Sequence, residues 1–268
     1  MTTPEHVGYE VDDGLAIVTL NEPAKLNALS AAMCAQLREA VGRARDDRRV
    51  RALLLTGAGK AFCAGADLGA MDRAAPSDTT LGERTAGAMQ AESNPLILEL
   101  RELPCPVLTA LNGAAVGGGV GLALAADVVI AARSAYFYLP SMPRLGLLPD
   151  LGASWFLPAQ IGRARFLALT LMGDRLPAET AAQWGLIWAC VDDAALREEA
   201  VRIARRLAAA PAHAALEARR AADAARTNDL RSQLAYEAAR QRDLIDADTF
   251  DEGVKAFLQR REPAFPPR

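Results

Sequence analysis

The strongest constraint on this chain is an alternation. Short apolar runs suited to buried strands, Arg51 to Thr56 (RALLLT), Val107 to Ala110 and Asp127 to Ala132 (DVVIAA), are separated by helical stretches over the first two thirds. A strand that must pass through a helix before the next strand builds βαβ units, and those units build a parallel sheet covered by helices. The fold class predicted is therefore α/β. Val7 to Val11 and Leu15 to Leu20 flank Asp12-Asp13-Gly14 and read as a β-hairpin. Ser30 stands where it can cap a helix running to Arg45, with Met33, Leu37, Ala40 and Val41 on one face. Ser77 to Leu103 turns from polar to amphipathic and stops at Pro104 and Pro106; the stretch Met71 to Glu83 is polar and reads as mobile. From Asp193 onward the chain reads as helical and rich in Ala, Arg and Glu. That shift divides it into a core over 1–195 and a helical region over 196–268.

Composition excludes several functions. The chain has 268 residues, 51% of them apolar, enough for one α/β core with a helical appendage. A net charge of −3 offers no electrostatic footprint for nucleic acid. The apolar run Leu122 to Ala132 is interrupted by Asp127 and too short to span a bilayer, so no membrane association is expected. The opening MTTPEHVGYE has no basic segment followed by an apolar one, and Cys34, Cys63, Cys105 and Cys190 are dispersed without metal-ligand spacing. Both features predict reduced thiols and a cytoplasmic location. His6 and His213 are the only histidines, which weighs against a Ser-His-Asp hydrolase and a histidine-held metal. Trp155, Trp184 and Trp188 read as core, Cys63 as packing and Asp127 as a local partner at a helix end. Tyr136 and Tyr138 fit either an acyl pocket or simple strand alternation.

Two glycine-containing loops carry the chemistry. Gly57 to Leu68 (GAGKAFCAGADL) follows a strand but is no P-loop, because Ala61 stands after Lys60 where Ser or Thr is required, and Leu54 replaces the first glycine. Asn112 to Asp127 (NGAAVGGGVGLALAAD) follows a strand too, but Leu122 occupies the third glycine of a dinucleotide fingerprint. What both loops can present is bare backbone. With Gly118 at a helix N-terminus, unpaired N–H groups would favour a developing anion, and two such loops facing each other make an oxyanion hole. Turn geometry and tight helix packing account for the same glycines equally well.

The segments LNEPAKLNAL (Leu20 to Leu29), AFCAGADL, NGAAVGGG, LGLLPD (Leu145 to Asp150) and EGVKAFLQRREPAF (Glu252 to Phe265) occur in the order seen in crotonases. Across essentially its whole length the chain resembles that superfamily, the enoyl-CoA hydratases and isomerases. The resemblance implies a spiral of ββα units with a C-terminal helical trimerisation region, and an acyl-CoA substrate. It implies that the N–H groups of Ala66 and Gly118 hold the thioester oxygen, and that Lys25, Ala64, Asp67 and Leu68 line the coenzyme path. Phe257 and Arg260 fall where the C-terminal helix reaches coenzyme A, in some members across a subunit boundary. A homotrimer or hexamer is implied, with coenzyme A as part of the substrate and no further cofactor or metal.

The departures are as informative. Hydratases of the superfamily carry two glutamates that position and split water. Here the first position is Gly121, three residues after Gly118 and so on the same helix face, which predicts an opening into the acyl pocket. The second is Met142, or Ser141 if the segment YLPSMPRLG is one residue longer than usual. One acid remains, Asp150, at a position where isomerase branches place a carboxylate. In an apolar pocket its pKa would rise and make it a better base; as Asp before a helix it could also serve as N-cap. An isomerase that moves a proton across a thioester enolate is the reading favoured. A hydratase, or a non-catalytic acyl-CoA binder, is the alternative.

Overall fold

The computed structural model describes residues 5–71 and 78–266. Part of the polar stretch expected to be mobile, residues 72–77, lies outside them. The chain opens with the expected hairpin, β1 (Val7–Asp12) against β2 (Leu15–Leu20), turned at Asp13 and Gly14, both with positive φ. Helix α1 (Ala31–Asp46) starts at Ser30, whose hydroxyl accepts from the Met33 N–H, and buries Met33, Leu37, Ala40 and Val41. The next strands come in pairs: β3 (Ala52–Gly57) with β4 (Ala61–Cys63), β5 (Val107–Leu111) with β6 (Ala114–Val116), and β7 (Val128–Ala132) with β8 (Tyr136–Tyr138). Helices follow each pair: α2 (Leu81–Ala88) and α3 (Asn94–Glu102), then α4 (Gly118–Leu124), then α5 (Ser141–Leu145) and α6 (Ala153–Met172).

The first strand of each pair joins one sheet and the second joins another. The larger sheet runs β1-β2-β3-β5-β7-β10, where β10 is Ala189–Val191, and the smaller runs β4-β6-β8-β9, where β9 is Arg175–Pro177. From β2 through β10 the larger sheet is parallel, which is why RALLLT, VLTAL and DVVIAA are nearly continuous apolar runs: a parallel strand is covered on both faces. The expected α/β spiral of ββα units is therefore present. Its consequence for function is local. Pairing of β4 with β6 (Ala61 with Ala114, Cys63 with Ala115) brings the two glycine loops to the same edge.

After α7 (Ala178–Gln183), helix α8 (Leu196–Ala208) lies across β3, β5 and β7 and buries Leu196, Ala200 and Ala204. Helices α9 (Ala214–Ala225), α10 (Leu230–Ile245) and α11 (Asp248–Gln259) bury far less of themselves. The tie that holds α9 differs from what the sequence suggested. Asp127 neither ends a helix nor pairs nearby: its carboxylate accepts from the Val107 N–H and from the buried Arg219 guanidinium of α9. Arg219 also donates to the carbonyls of Arg101, Leu103 and Cys105. The tryptophans also depart from expectation. Only Trp184 packs against the core; Trp188 is 75% exposed, and Trp155 is 44% exposed with the Arg226 guanidinium 3.7 Å from its ring centre. Indole is large and carries an N–H, so a surface ledge stacked by arginine suits it. Among the described residues no helix is long and apolar enough to cross a membrane.

Candidate active site

The two loops meet at Gly65. It has φ +82, and a Cβ there would lie 2.6 Å from the Val116 oxygen and 3.3 Å from the Gly118 nitrogen. Only glycine lets the backbones abut this closely. A parallel bridge from Leu29 to Ala66, with the Leu29 N–H donating to the Gly65 carbonyl at 2.8 Å, holds the first loop from its other side. Behind it, α4 packs onto β4 so tightly that a Cβ on Gly119 would stand 2.5 Å from the Cys63 oxygen. Ala66 is exposed and Gly118, the first residue of α4, is buried; among the described residues neither N–H has an acceptor in the protein. Two unspent donors at the junction of two loops can receive an oxygen that is gaining negative charge.

Asp150 reaches the same junction from the turn before α6. Its Oδ1 lies 3.3 Å from where a Gly118 Cβ would be, and the Leu151 Cδ1 lies 2.7 Å from that point. Burial pushes its pKa above the ordinary aspartate value, opposed only by a bond from its own backbone N–H. The N-cap expectation is corrected here. The cap position of α6 is Gly152, with φ 82, and Asp150 contributes its backbone carbonyl, accepting from Ala153 at 2.9 Å, so its carboxyl is left for chemistry. Gly121 is also corrected. It does not open into a pocket: it is buried, and a Cβ there would lie 2.1 Å from the Leu151 oxygen. Its absence of side chain serves the close approach of the 150–151 backbone. The Oγ of Ser141, not Met142, is the atom set 3.8 Å from the Cβ position of Gly117; Met142 is partly buried in α5, its carbonyl accepting from Gly146.

A family model described as Enoyl-CoA hydratase/isomerase matches residues 10–268. The chain belongs to this family. It is similar to a probable enoyl-CoA hydratase of Rhodobacter capsulatus, 44% identical over 97% of this chain and 97% of that protein. It is similar also to the 1,2-epoxyphenylacetyl-CoA isomerase of Escherichia coli, 46% identical over 77% of this chain and 78% of that protein. Among solved structures, the enoyl-CoA hydratase of Bacillus anthracis superposes with a TM-score of 0.88 at 32% identity, covering 97% of this chain and 99% of that one.

Several of the residues expected to line a coenzyme path lie close together beside the first loop. Lys25 Nζ sits 3.2 Å from the Glu22 carboxylate and 3.6 Å from that of Asp67, and both partners raise its pKa, Glu22 the more. The Ala64 N–H donates to the Leu26 carbonyl, and Leu68, 52% exposed, begins the short 3-10 turn after Asp67. Phe257 is 83% exposed on α11, bordering a cleft formed with Pro211, His213 and Leu244; Arg260 is the left-handed cap of that helix. A cleft of about 780 Å³ between α3, α6 and α9 includes none of the loop residues. Cys63 is fully buried beside the loops, its thiol pushed up to about 12 by burial, which fits packing.

Two residues that organise the site were not assigned from sequence. Asn27, fully buried with φ 57, donates to the carbonyls of Ala58 and Ala61 and accepts from the Glu22 N–H. Asn112 accepts from Gly57 and donates to Gly59 and Ala61. Together they fix the first loop from both flanks. The signal was available: each asparagine interrupts an apolar run directly beside a loop, where amide side chains commonly stand in for missing backbone partners.

Proposed function

We propose that this chain is an acyl-CoA isomerase. The N–H groups of Ala66 and Gly118 polarise the thioester carbonyl, and Asp150 removes a proton from the α-carbon. The electrons move into the thioester oxygen as an enolate, held by the same two donors. Asp150 then returns the proton at the γ-carbon, so the double bond shifts and nothing is added or lost. The observation that carries this reading is the Asp150 carboxyl beside Gly118, while the positions of the hydratase acids hold Gly121 and Met142, or Ser141, none of them an acid. The kinship with an epoxyphenylacetyl-CoA isomerase supports a second isomerase substrate, a ring-epoxide acyl-CoA, at the same acid. Coenzyme A enters as part of the substrate, and no metal or redox group is called for. The enzyme is expected to work in the cytoplasm as a homotrimer or hexamer.

Hydration is the competing reading, supported by the name of the Rhodobacter capsulatus relative. A non-catalytic acyl-CoA binder is the third. Incubation with a 3-enoyl-CoA, a 2-enoyl-CoA and 1,2-epoxyphenylacetyl-CoA, followed by absorbance and mass, separates them. The proposal expects a product of unchanged mass from the first or third. Gain of one water by the 2-enoyl-CoA at a comparable rate would establish the hydratase; saturable binding without turnover would establish the binder.

A further inference from the structure

We propose that Leu151 is a positioning and specificity-determining residue: its left-handed backbone presents the Asp150 carboxyl at Gly118, and its carbonyl fills the space over Gly121 that a second acid would need. The inference rests on Asp150 being the base.

Three observations converge on Leu151. It has φ +48, followed by Gly152 at +82, so the chain makes two consecutive left-handed steps just after the acid. Asn and Asp adopt this conformation with help from their own side chains; leucine has no such help and is held there by its surroundings. The surroundings are specific, since Leu151 is only 7% exposed. Its Cδ1 and Cγ would lie 2.7 and 3.4 Å from a Cβ on Gly118, so its side chain roofs the residue that Asp150 also touches. The apolar side chain and the carboxyl thus border the same point beside Gly118.

The third observation concerns Gly121. A Cβ there would meet the Leu151 oxygen at 2.1 Å, the Leu151 carbonyl carbon at 2.7 Å and the Asp150 oxygen at 3.0 Å. These are backbone atoms of the turn, not the free end of a flexible side chain, so they cannot give way singly. A glutamate at 121 requires the whole 150–152 turn to move, and moving it takes Asp150 away from Gly118. In this backbone an acid at 150 and an acid at 121 exclude one another. The missing hydratase glutamate is therefore a packing requirement of the acid that remains, not a vacancy that mutation can refill.

The test compares Leu151→Ala, Leu151→Met and Gly121→Glu with wild type and Asp150→Asn, using whichever isomerase substrate above turns over. Leu151→Ala should lower kcat about 10- to 100-fold with KM little changed, since a misplaced base costs the chemical step rather than binding. Its acid limb in the kcat–pH profile should also move to lower pH, because a hydrated carboxylate loses the burial that raises its pKa. Leu151→Met, which keeps an apolar cover, should keep the wild-type limb. Gly121→Glu should lose isomerisation and gain no hydration of a 2-enoyl-CoA. Wild-type kcat and limb in Leu151→Ala, or a folded Gly121→Glu that isomerises and hydrates, would overturn the inference. Should Gly121→Glu not fold, the Ala and Met pair decides. Full turnover in Asp150→Asn sinks the base assignment instead. Loss of turnover there with an unaffected Leu151→Ala sinks the role of Leu151 alone.

Discussion

Removing water from around a carboxylate favours its protonated form, and at Asp150 burial outweighs the one bond from its own N–H. The base form is lost as pH falls through a raised pKa, so the acid limb of kcat should lie above the free aspartate value of about 4. Asp150→Asn should lower turnover by roughly two to four orders of magnitude, measured by mass-resolved product formation. Its effect on stability has the opposite sign. A carboxyl with a raised folded pKa binds more protons folded than unfolded between its two pKa values, so its contribution falls as pH rises through that window. Asp150→Asn should therefore melt no lower than wild type at neutral pH, the comparison moving towards wild type below the unfolded pKa. Fluorescence-monitored melting at neutral and acid pH checks this, and a marked loss at neutral pH would restore a structural role. Cys63 gives a control at the same site. A fully buried thiol pushed up to about 12 carries almost no thiolate, so native-state alkylation should label the partly exposed Cys190 first and leave Cys63 intact by peptide mass.

At the scale of elements, the ion pair between Asp127 before β7 and Arg219 on α9 ties the core to the C-terminal helices. Arg219 satisfies three carbonyls as well as the carboxylate, so truncation strands several buried acceptors at once. Arg219→Ala should cost about 3 to 5 kcal/mol in denaturant unfolding, because it leaves Asp127 without its counter-charge. A loss under about 1 kcal/mol would mean that water or α9 movement rescues the site. This pair also marks the limit of what sequence can reveal. The hairpin, α1 and its Ser30 cap, and the strands at RALLLT and DVVIAA were legible because each depends on neighbours within one element: a period, a cap, a turn. The placement of Asp150, Lys25 and the glycine loops was legible through family resemblance. Asp127 with Arg219, Asn27 with Ala61, and Gly121 under the Leu151 carbonyl were not, because each joins residues far apart in the chain through one contact that leaves no periodic trace. Gly121 was misread for that reason: a bare position on a helix face looks like room until the turn that fills it is seen.

On the scale of the whole molecule, the C-terminal helices pose a burial problem that one chain leaves open. Helix α10 buries no residue, and Leu230 (76% exposed), Leu234 (55%), Phe257 (83%) and Leu258 (75%) present apolar side chains on α10 and α11. Phe257 and Leu258 also share one cleft with Leu244, and apolar exposure of this extent fits an interaction surface better than ordinary solvent-facing chain. We propose a second copy of this chain as the occupant, as the family resemblance implies for the C-terminal helix; a closed ring of three would satisfy every copy alike. Light scattering at micromolar concentration should therefore give three or six times the chain mass. Charging the surface with Phe257→Asp and Leu258→Asp should shift the mass towards one chain while leaving the far-ultraviolet dichroism of the α/β core in place. Phe257 is 83% exposed within one chain, so a coenzyme path completed by a neighbour's α11 makes one further demand. The dissociated variant should bind acyl-CoA more weakly, KM rising more than kcat falls. A wild type that scatters as a single chain would remove the trimer, and with it the reason for Phe257 to matter to coenzyme binding at all.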